Sequence, residues 1–215
     1  MAPHRANSLH RDEIVRAAVD VADQDGFDSL SMRNLADELN TAPMSLYRHV
    51  RNKEDLLDGM IDIVFSEIRD PAIGGDWKKE LRRRGISARE ALLRHRWAIG
   101  RMEGRMNPGP ESAAHHNATM GCLREAGFSF RDAVHAYSML DSYTYGFALQ
   151  ERTIRFETPQ EAAEMARATV GDMGEHYPYL AEVVEEFAKD GYDYAKEFEF
   201  GLDLILDGLE RYLGL

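Results

Sequence analysis

The sequence has one cysteine, almost no strand pattern and no long apolar run. A lone Cys122 excludes an internal disulfide and a zinc site built from several cysteines, and it is expected to be a buried, inert thiol. No apolar stretch approaches the roughly 18 residues of a membrane span. Residues 1–10 are polar and lack the apolar core of a signal peptide. These absences predict a soluble cytoplasmic protein with no membrane partner.

Positive charge is also scarce. A net charge of −12 argues against general coating of nucleic acid, because phosphate neutralisation supplies most non-specific affinity. The acidity is uneven, since residues 1–53 contain seven Lys or Arg and eight Asp or Glu, and later residues carry nearly all the negative excess. Between residues 39 and 53 there is no acidic residue, whereas Arg48, Arg51 and Lys53 are all present. This short basic stretch is therefore a candidate nucleic-acid contact.

Helical periodicity is what the chain does contain. Apolar residues make up 44% of it, enough for a core, and no stretch alternates apolar and polar residues for long. The pattern predicts an all-α fold. Gly26 is expected to end the first helix, and Ser31 and Asn52 to cap the second and fourth. The predicted helices span 10–24, a short segment after Ser31, 43–49, a long one after Asn52, 76–96, 110–126, 130–151, 160–172, 175–189 and 194–213.

Residues 31–53, SMRNLADELNTAPMSLYRHVRNK, predict two short helices joined by a tight turn. This spacing is typical of a helix-turn-helix, whose second helix enters the major groove of DNA. Side chains there meet base edges, while cations and hydroxyls hold phosphates. Leu46 and Val50 are expected in the core. We predict base-edge contacts from Met44, Ser45 and Arg48, and phosphate contacts from Arg33, Tyr47, His49 and Lys53.

The segments LYRHV at 46–50 and NKEDLL at 52–57, together with SMRNLA at 31–36, resemble the signature of the TetR (tetracycline-repressor) family. The match covers about residues 9–69. The resemblance implies a DNA-binding head of three helices, of which the second and third contact DNA. It also supports the phosphate contacts named above. One departure is Ala42, because many relatives have Ser directly before the proline of the reading helix.

Three later stretches, DW at 76–77, ALLRHR at 91–96 and LREAGFS at 123–129, resemble the branch of the family that contains the tetracycline repressor itself. The resemblance implies a ligand cavity after Trp77, and mixed apolar and aromatic walls suit an amphiphilic organic inducer. Core packing explains each lining residue equally well. The predicted lining comprises Trp97, Met102, Met106, Asn117, Met120, Tyr137, Leu140, Tyr143 and Phe147.

Magnesium-bound tetracycline is the inducer that this resemblance suggests first. However, Met102 stands about where the repressor has a metal-binding histidine, and Gln150 about where an acidic residue is expected, with Glu151 next to it. The polar contact set is not reproduced. We therefore predict a different inducer and no metal or cofactor.

The last helix carries two apolar stripes. Phe198, Leu202, Ile205, Leu209 and Tyr212 share one face, while Phe200 and Leu204 point roughly the opposite way. A surface helix needs only one such stripe, so two predict burial against the body and against a partner. The expected homodimer is a four-helix bundle of this helix and helix 130–151 from each subunit. Its predicted interface includes Phe200, Gly201, Leu204 and Gly208, the glycines allowing close approach.

Pro71 and the pair Gly74-Gly75 mark a break between two parts of the chain. We predict a DNA-binding head at 1–52, a connecting helix at 53–70, and a helical ligand-binding and dimerisation domain at 71–215. Such a protein is a repressor that a small-molecule inducer releases from a palindromic operator. Inducer binding would tilt the fourth helix and change the spacing of the two heads.

Two alternatives stay open. An activator, or a regulator that responds to a partner protein, could carry the same head. The eight Lys or Arg between residues 78 and 96 could be a solvated face, or could attract an anionic ligand or DNA backbone.

A metal-dependent enzyme is the other alternative, suggested by His95, His115, His116 and His135. Neighbouring His115 and His116 point about 100° apart on a helix, and no His-Glu-x-x-His pattern occurs, so we predict no catalytic residues.

Overall fold

The computed structural model describes residues 9–102, 108–153 and 176–214 without 191–192, and single positions between 158 and 168. Regular structure in these ranges is helical, with no strand, as the periodicity predicts. The predicted helix at 160–172 falls mostly outside the described residues. The helices are α1 (Arg11–Asp25), α2 (Met32–Glu38), α3 (Pro43–Leu46), α4 (Lys53–Ser66), α5 (Trp77–Arg94), α6 (Pro110–Glu125), α7 (Phe130–Arg152), α8 (Pro178–Asp190) and α9 (Tyr194–Leu213), with 3₁₀ turns at Phe27–Ser29 and Arg96–Ala98.

The caps lie where the sequence predicts them. The hydroxyl oxygen of Ser31 accepts a hydrogen bond from the Asn34 amide at 3.1 Å, and the Asn52 side chain accepts one from the Asp55 amide at 2.9 Å. Gly26, at φ 82°, follows α1 in a conformation that only glycine adopts readily. These caps fix the ends of α1, α2 and α4.

Helix α3 is shorter than predicted. It was expected to reach about His49, but its regular part is Pro43–Leu46, and residues 47–49 form a turn. The His49 amide donates to the Leu46 carbonyl at 2.9 Å, an i to i+3 bond that tightens the last turn. Ala42 precedes Pro43 without a side-chain cap.

We call α1–α3 the head, α4 the connecting helix and α5–α9 the body. One buried cluster joins α1–α4 and extends to the end of α5 through Leu92 and Ala98. A second, containing Leu123, Leu140 and Leu202, lies among α5, α6, α7 and α9. Because the first cluster crosses from head to body, the connecting helix is buried against both.

The basic stretch of α5 is occupied by ion pairs. The Lys78 ammonium contacts Asp207 and Glu210, both at 2.6 Å, and the Arg82 guanidinium contacts Glu199 and Asp203, both at 2.7 Å. Four acidic residues of α9 thus neutralise this side of α5, which is neither simply solvated nor open to an anionic partner.

Among the described residues, no helix is long and apolar enough to cross a membrane. Cys122 is buried as expected, and burial raises the pKa of its thiol to about 11. The thiol therefore stays protonated at neutral pH.

Candidate functional site

The surface of α3 is divided between core and solvent. Leu46 and Val50 are buried and anchor the helix to α1, α2 and α4, as predicted. Met44 is 74% exposed and Tyr47 47% exposed, and Arg48 is also exposed. Apolar side chains this open on a small helix are available to a partner surface.

The other predicted DNA contacts surround α3. Arg33 is exposed on α2, and Ser45 and His49 are half-buried. Lys53 is exposed, yet its ammonium donates to the Leu30 carbonyl at 2.8 Å and lies 4.7 Å from the centre of the Phe27 ring. Lys53 therefore also ties α4 to the segment before α2.

Asp55 holds the start of the connecting helix in place. Its carboxylate accepts from the Arg51 amide at 2.8 Å and contacts the Arg11 guanidinium at 3.3 Å. The hydrogen bond from the Arg51 backbone is the main cause that lowers the Asp55 pKa. Asp55 thus links α1, the turn after α3 and α4.

A polar cluster joins the head to the body at the end of α1. The Asp23 carboxylate accepts from the Trp97 indole at 2.6 Å and lies 3.0 Å from Nδ1 of His95. Nε2 of His95 lies 3.1 Å from Glu67, which also accepts from Arg94 at 2.7 Å. Residues from α1, α4 and the end of α5 therefore meet at one point.

A buried charged network crosses the body. The Arg84 guanidinium donates to Asp141 at 2.7 Å and to Nε2 of His115 at 2.9 Å, and Nδ1 of His115 lies 2.8 Å from Asp70. Arg84 and Asp141 are almost fully buried. Burial, reinforced by Arg84, lowers the pKa of His115 to about 4, so this histidine is neutral and donates through Nδ1.

Tyr137 borders this network. Its ring lies 5.6 Å from the Arg84 guanidinium and 5.6 Å from the His116 ring, and it is only half-buried. Burial, followed by the Asp141 charge, raises the pKa of its phenol. One carboxylate oxygen of Asp141 is buried without a hydrogen-bond partner among the described residues. A half-buried aromatic ring beside a buried guanidinium and carboxylate combines the apolar and polar groups that small-molecule sites use.

The predicted ligand-binding residues separate into several places. Met120, Tyr137 and Leu140 lie together in the second buried cluster, beside the charged network. Tyr143 stacks on Phe198 of α9, Phe147 contacts the same ring edge to face, and the Tyr143 hydroxyl donates to the Phe198 carbonyl at 3.0 Å. Trp97 and Met102 belong to the first cluster, near the head, Asn117 is exposed, and Met106 lies outside the described residues.

The residues at the positions of a magnesium-tetracycline site do not fit that ligand. Met102 is buried in apolar surroundings and Gln150 is exposed. Glu151 is paired with Arg89 through two hydrogen bonds, one of them 2.8 Å long. Of the side chains at these three positions only that of Glu151 is a carboxylate, and its ion pair with Arg89 occupies it.

The outer faces of α7 and α9 carry an apolar groove. Phe200 and Leu204 are exposed as predicted, and Gly208 borders a surface cavity of about 600 Å³ with Met139 and Tyr212. Gly201 faces its own chain, because a Cβ atom there would overlap the Tyr143 hydroxyl, and its lack of a side chain therefore permits close packing of α9 on α7. Its place in a dimer interface stays a prediction.

The four histidines of the enzyme alternative are dispersed. His95 lies at the joint between head and body, His115 and His116 lie on α6 with ring centres 6.1 Å apart, and His135 borders the apolar groove. In the described part of the chain no group of His, Cys, Asp or Glu side chains could hold a metal ion.

Several functional side chains were missed by the sequence reasoning. The sequence places Arg84 only in a basic stretch, and no sequence motif distinguishes Asp141 or Asp23 from other acidic residues. Arg84 and Asp141 are 57 residues apart, and no local pattern connects them. A charged residue on an otherwise apolar face of α7 was the one available signal.

A helix-turn-helix head with an exposed reading helix, joined by a buried helix to a helical body, defines a DNA-binding regulator. Comparisons identify its family. Residues 14–60 match the family model described as bacterial regulatory proteins of the tetR family, and residues 70–213 match the tetracyclin repressor-like C-terminal domain. The chain belongs to the TetR family of transcriptional regulators.

Similar proteins cover nearly the whole chain. An HTH-type transcriptional regulator from Saccharopolyspora erythraea is 35% identical, over 96% of this chain and 87% of that protein. The HTH-type transcriptional repressor DrrR1 from Streptomyces coeruleorubidus is 36% identical, over 94% and 78%. The structure of the TetR family protein ActR from Streptomyces coelicolor, in complex with actinorhodin, has a TM-score of 0.80 at 30% identity and full coverage of both chains.

Proposed function

We propose that this protein is a homodimeric repressor that acts in the cytoplasm, binds a palindromic operator through α3 and is released by an organic inducer. The observation that carries the proposal is that one face of α3 is buried in the core and the other is exposed. Leu46 fixes the helix to the core, while Met44, Tyr47 and Arg48 project from the protein. Such a helix places a few side chains against base edges in the major groove.

The inducer site that we propose lies around Arg84, Tyr137 and Asp141. A half-buried aromatic ring beside a guanidinium and a carboxylate suits a flat aromatic ligand with hydroxyl or carbonyl groups. The complex of the similar protein ActR with actinorhodin supports a ligand of this kind. We propose that the ligand binds without magnesium, since Met102 offers a thioether, which is a poor ligand for this hard cation.

A packed route connects this site to the head. The Phe65 ring of α4 lies 5.5 Å from the His115 ring and 5.3 Å from the His116 ring. Asp62, also on α4, accepts from the Ser112 amide at the start of α6 at 2.9 Å. A ligand that moves α6 would therefore move α4 and change the spacing of the two heads, provided that it binds the two states with different affinity.

The dimer that we propose uses the apolar groove of α7 and α9. Phe200, Leu204, Gly208 and Met139 present a continuous uncovered surface. A second copy would cover it in a four-helix bundle, the symmetry that a palindromic operator requires.

Selection of bound sequences from a random DNA pool tests the DNA-binding part. The expected product is a palindrome with half-sites about one turn apart. An unenriched pool, or enrichment of one half-site alone, would contradict a dimeric repressor. A promoter reporter then separates repression from activation.

A gel-shift titration with actinorhodin tests induction, with anhydrotetracycline and magnesium as the comparison. We expect actinorhodin to remove the shifted band at a lower concentration than anhydrotetracycline with magnesium does. Retention of operator affinity in its presence, despite binding measured by calorimetry, would refute the proposed coupling.

A further inference from the structure

A second cavity lies between the head and the body, separate from the proposed inducer site. The end of α1 and the 3₁₀ turn at Phe27–Ser29 form its head side. The end of α5, the turn at Arg96–Ala98 and the last turn of α7 form its body side. Its volume is about 450 Å³, within the range of small-molecule sites.

The charge of this cleft is opposite to that of the protein. Arg94, Arg96, Arg101 and Arg152 all line it. Where the chain is described, Arg96 and Arg152 take part in no ion pair with another side chain, although the protein as a whole carries a net charge of −12. Unpaired guanidinium groups in a concave site favour a carboxylate, which they can bind through two parallel hydrogen bonds.

The acidic residues of the cleft do not cancel this charge. Asp23 is engaged by Trp97 and His95, and Asp28 is fully exposed, with its carboxylate 3.6 Å from Arg101. Arg94 is paired with Glu67, so within the described part of the chain Arg96 and Arg152 are the guanidinium groups of the cleft that no carboxylate neutralises. An anion can enter without displacing a buried ion pair.

An aromatic wall completes the cleft. The rings of Phe27 and Trp97 are stacked, with centres 6.1 Å apart, and the Arg101 guanidinium lies 4.6 Å from the Phe27 ring centre. Phe27 is half-buried, and the part of its ring that the Lys53 and Arg101 side chains leave exposed can contact the ring of a ligand whose acidic group reaches the arginines.

We propose that this cleft binds a small aromatic carboxylate and that the bound anion holds the head against the body. Because the cleft has walls on both parts, occupancy favours the arrangement that brings those walls together. An anion that favours one arrangement therefore changes the affinity of the protein for its operator. By thermodynamic linkage, the operator changes the affinity for the anion by the same factor. This site does not depend on the inducer site proposed above.

Trp97 fluorescence in a Trp77→Phe background tests the proposal without DNA. The full-length protein is titrated at low salt with phthalate, benzoate and the uncharged benzamide. We expect phthalate to bind more tightly than benzoate, and benzamide to give no saturable change. Equal responses to benzamide and phthalate would overturn the proposal, because they would indicate aromatic contact alone.

Variants identify the cleft as the site. Arg96→Ala combined with Arg152→Ala is expected to weaken phthalate binding about tenfold or more, since charge-assisted hydrogen bonds are lost. The variant Arg96→Lys with Arg152→Lys retains the charge and should bind phthalate with intermediate affinity. The matched control is Arg16→Ala, which removes an exposed arginine of α1. Unchanged phthalate affinity in both cleft variants would overturn the proposal. So would variants that change only the salt dependence of operator binding, because that result would assign the arginines to DNA contacts.

Discussion

The indole nitrogen of Trp97 donates a hydrogen bond of 2.6 Å to the Asp23 carboxylate. Trp97 follows α5 and Asp23 belongs to α1, so this bond fastens the body to the head. The bond is largely shielded from water, because Trp97 is only 5% exposed. We therefore expect a movement of the end of α5 to change the position of α1 and of the head.

Removing the indole donor of Trp97 is expected to weaken the contact between the head and the body. Trp97→Phe preserves an aromatic ring against Phe27 but leaves the Asp23 carboxylate short of one partner, at a cost of about 1–3 kcal/mol in the free energy of unfolding. The inducer should also release the operator less completely. Urea denaturation and gel-shift titration measure the two effects. Trp77→Phe, in the body against Phe128, is the control, and equal behaviour of the two variants would show that the joint has no special role.

The buried pair of Arg84 and Asp141 is expected to be sensitive to loss of one member. Asp141→Ala leaves the Arg84 charge buried, which costs about 3–5 kcal/mol in unfolding free energy. The comparison is Asp203→Ala, whose pair with Arg82 is solvent-exposed and is worth only about 0–1 kcal/mol. Urea denaturation of both variants gives the difference. Similar losses in the two would mean that Asp141 is not buried as described.

The two glycines of α9 should respond differently to the same substitution. Gly201→Ala drives a methyl group into Tyr143, and such overpacking costs about 1–3 kcal/mol of stability. Gly208→Ala meets nothing within 4 Å in its own chain, so its effect should fall on dimer affinity instead. Thermal unfolding and sedimentation equilibrium separate these outcomes. A stable Gly201→Ala protein with a weakened dimer would reverse the assignment.

Stability should fall in mild acid because of His115. Its folded pKa of about 4 lies below the ordinary value of 6.5, so between these values only the unfolded state takes up the proton. The contribution of His115 is complete above pH 6.5 and decreases as the pH falls towards about 4, by roughly 1.4 kcal/mol per unit. Denaturation midpoints at pH 7 and pH 5 measure it. His115→Gln should flatten this dependence, whereas exposed His135→Gln should leave it unchanged.

Operator binding should distinguish the roles of Arg33 and Arg48, two exposed arginines of the head. Arg33→Ala is expected to lower the salt dependence of binding by about one phosphate contact, with the sequence preference unchanged. Arg48→Ala is expected to relax the preference at one base pair, worth about 1–3 kcal/mol. Binding titrations at several salt concentrations, with single-base operator variants, test both. The proposed roles would be exchanged if Arg48→Ala changed only the salt slope.

Local chemistry accounts for how well the helices were predicted. Ser31 and Asn52 cap helices through bonds to residues three positions later, and Gly26 ends α1 through its own backbone freedom. Such interactions depend on neighbours in the chain, and a sequence displays neighbours directly. Leu46 and Val50 were placed in the core correctly for the same reason, since helical spacing decides which face each occupies.

Gly201 shows that local spacing does not reveal which helix packs against a given face. Its spacing from Gly208 suggested one face for a second helix, but only the path of α7 decides that Tyr143 occupies the space. The network of Arg84, His115 and Asp141 and the link of Asp23 to Trp97 have the same origin, because each of these bonds joins residues at least 31 positions apart in the chain.

The helices, the helix-turn-helix and the family follow from consecutive residues, because caps, periodicity and a dense motif each involve neighbours in the chain. The packing of the helices fixes which charges are buried in pairs, which arginines line the cleft, and how Trp97 contacts the head. Those features depend on which helices pack together. The free energy of a buried pair arises from the exclusion of water around both partners, and no single stretch of sequence records that exclusion.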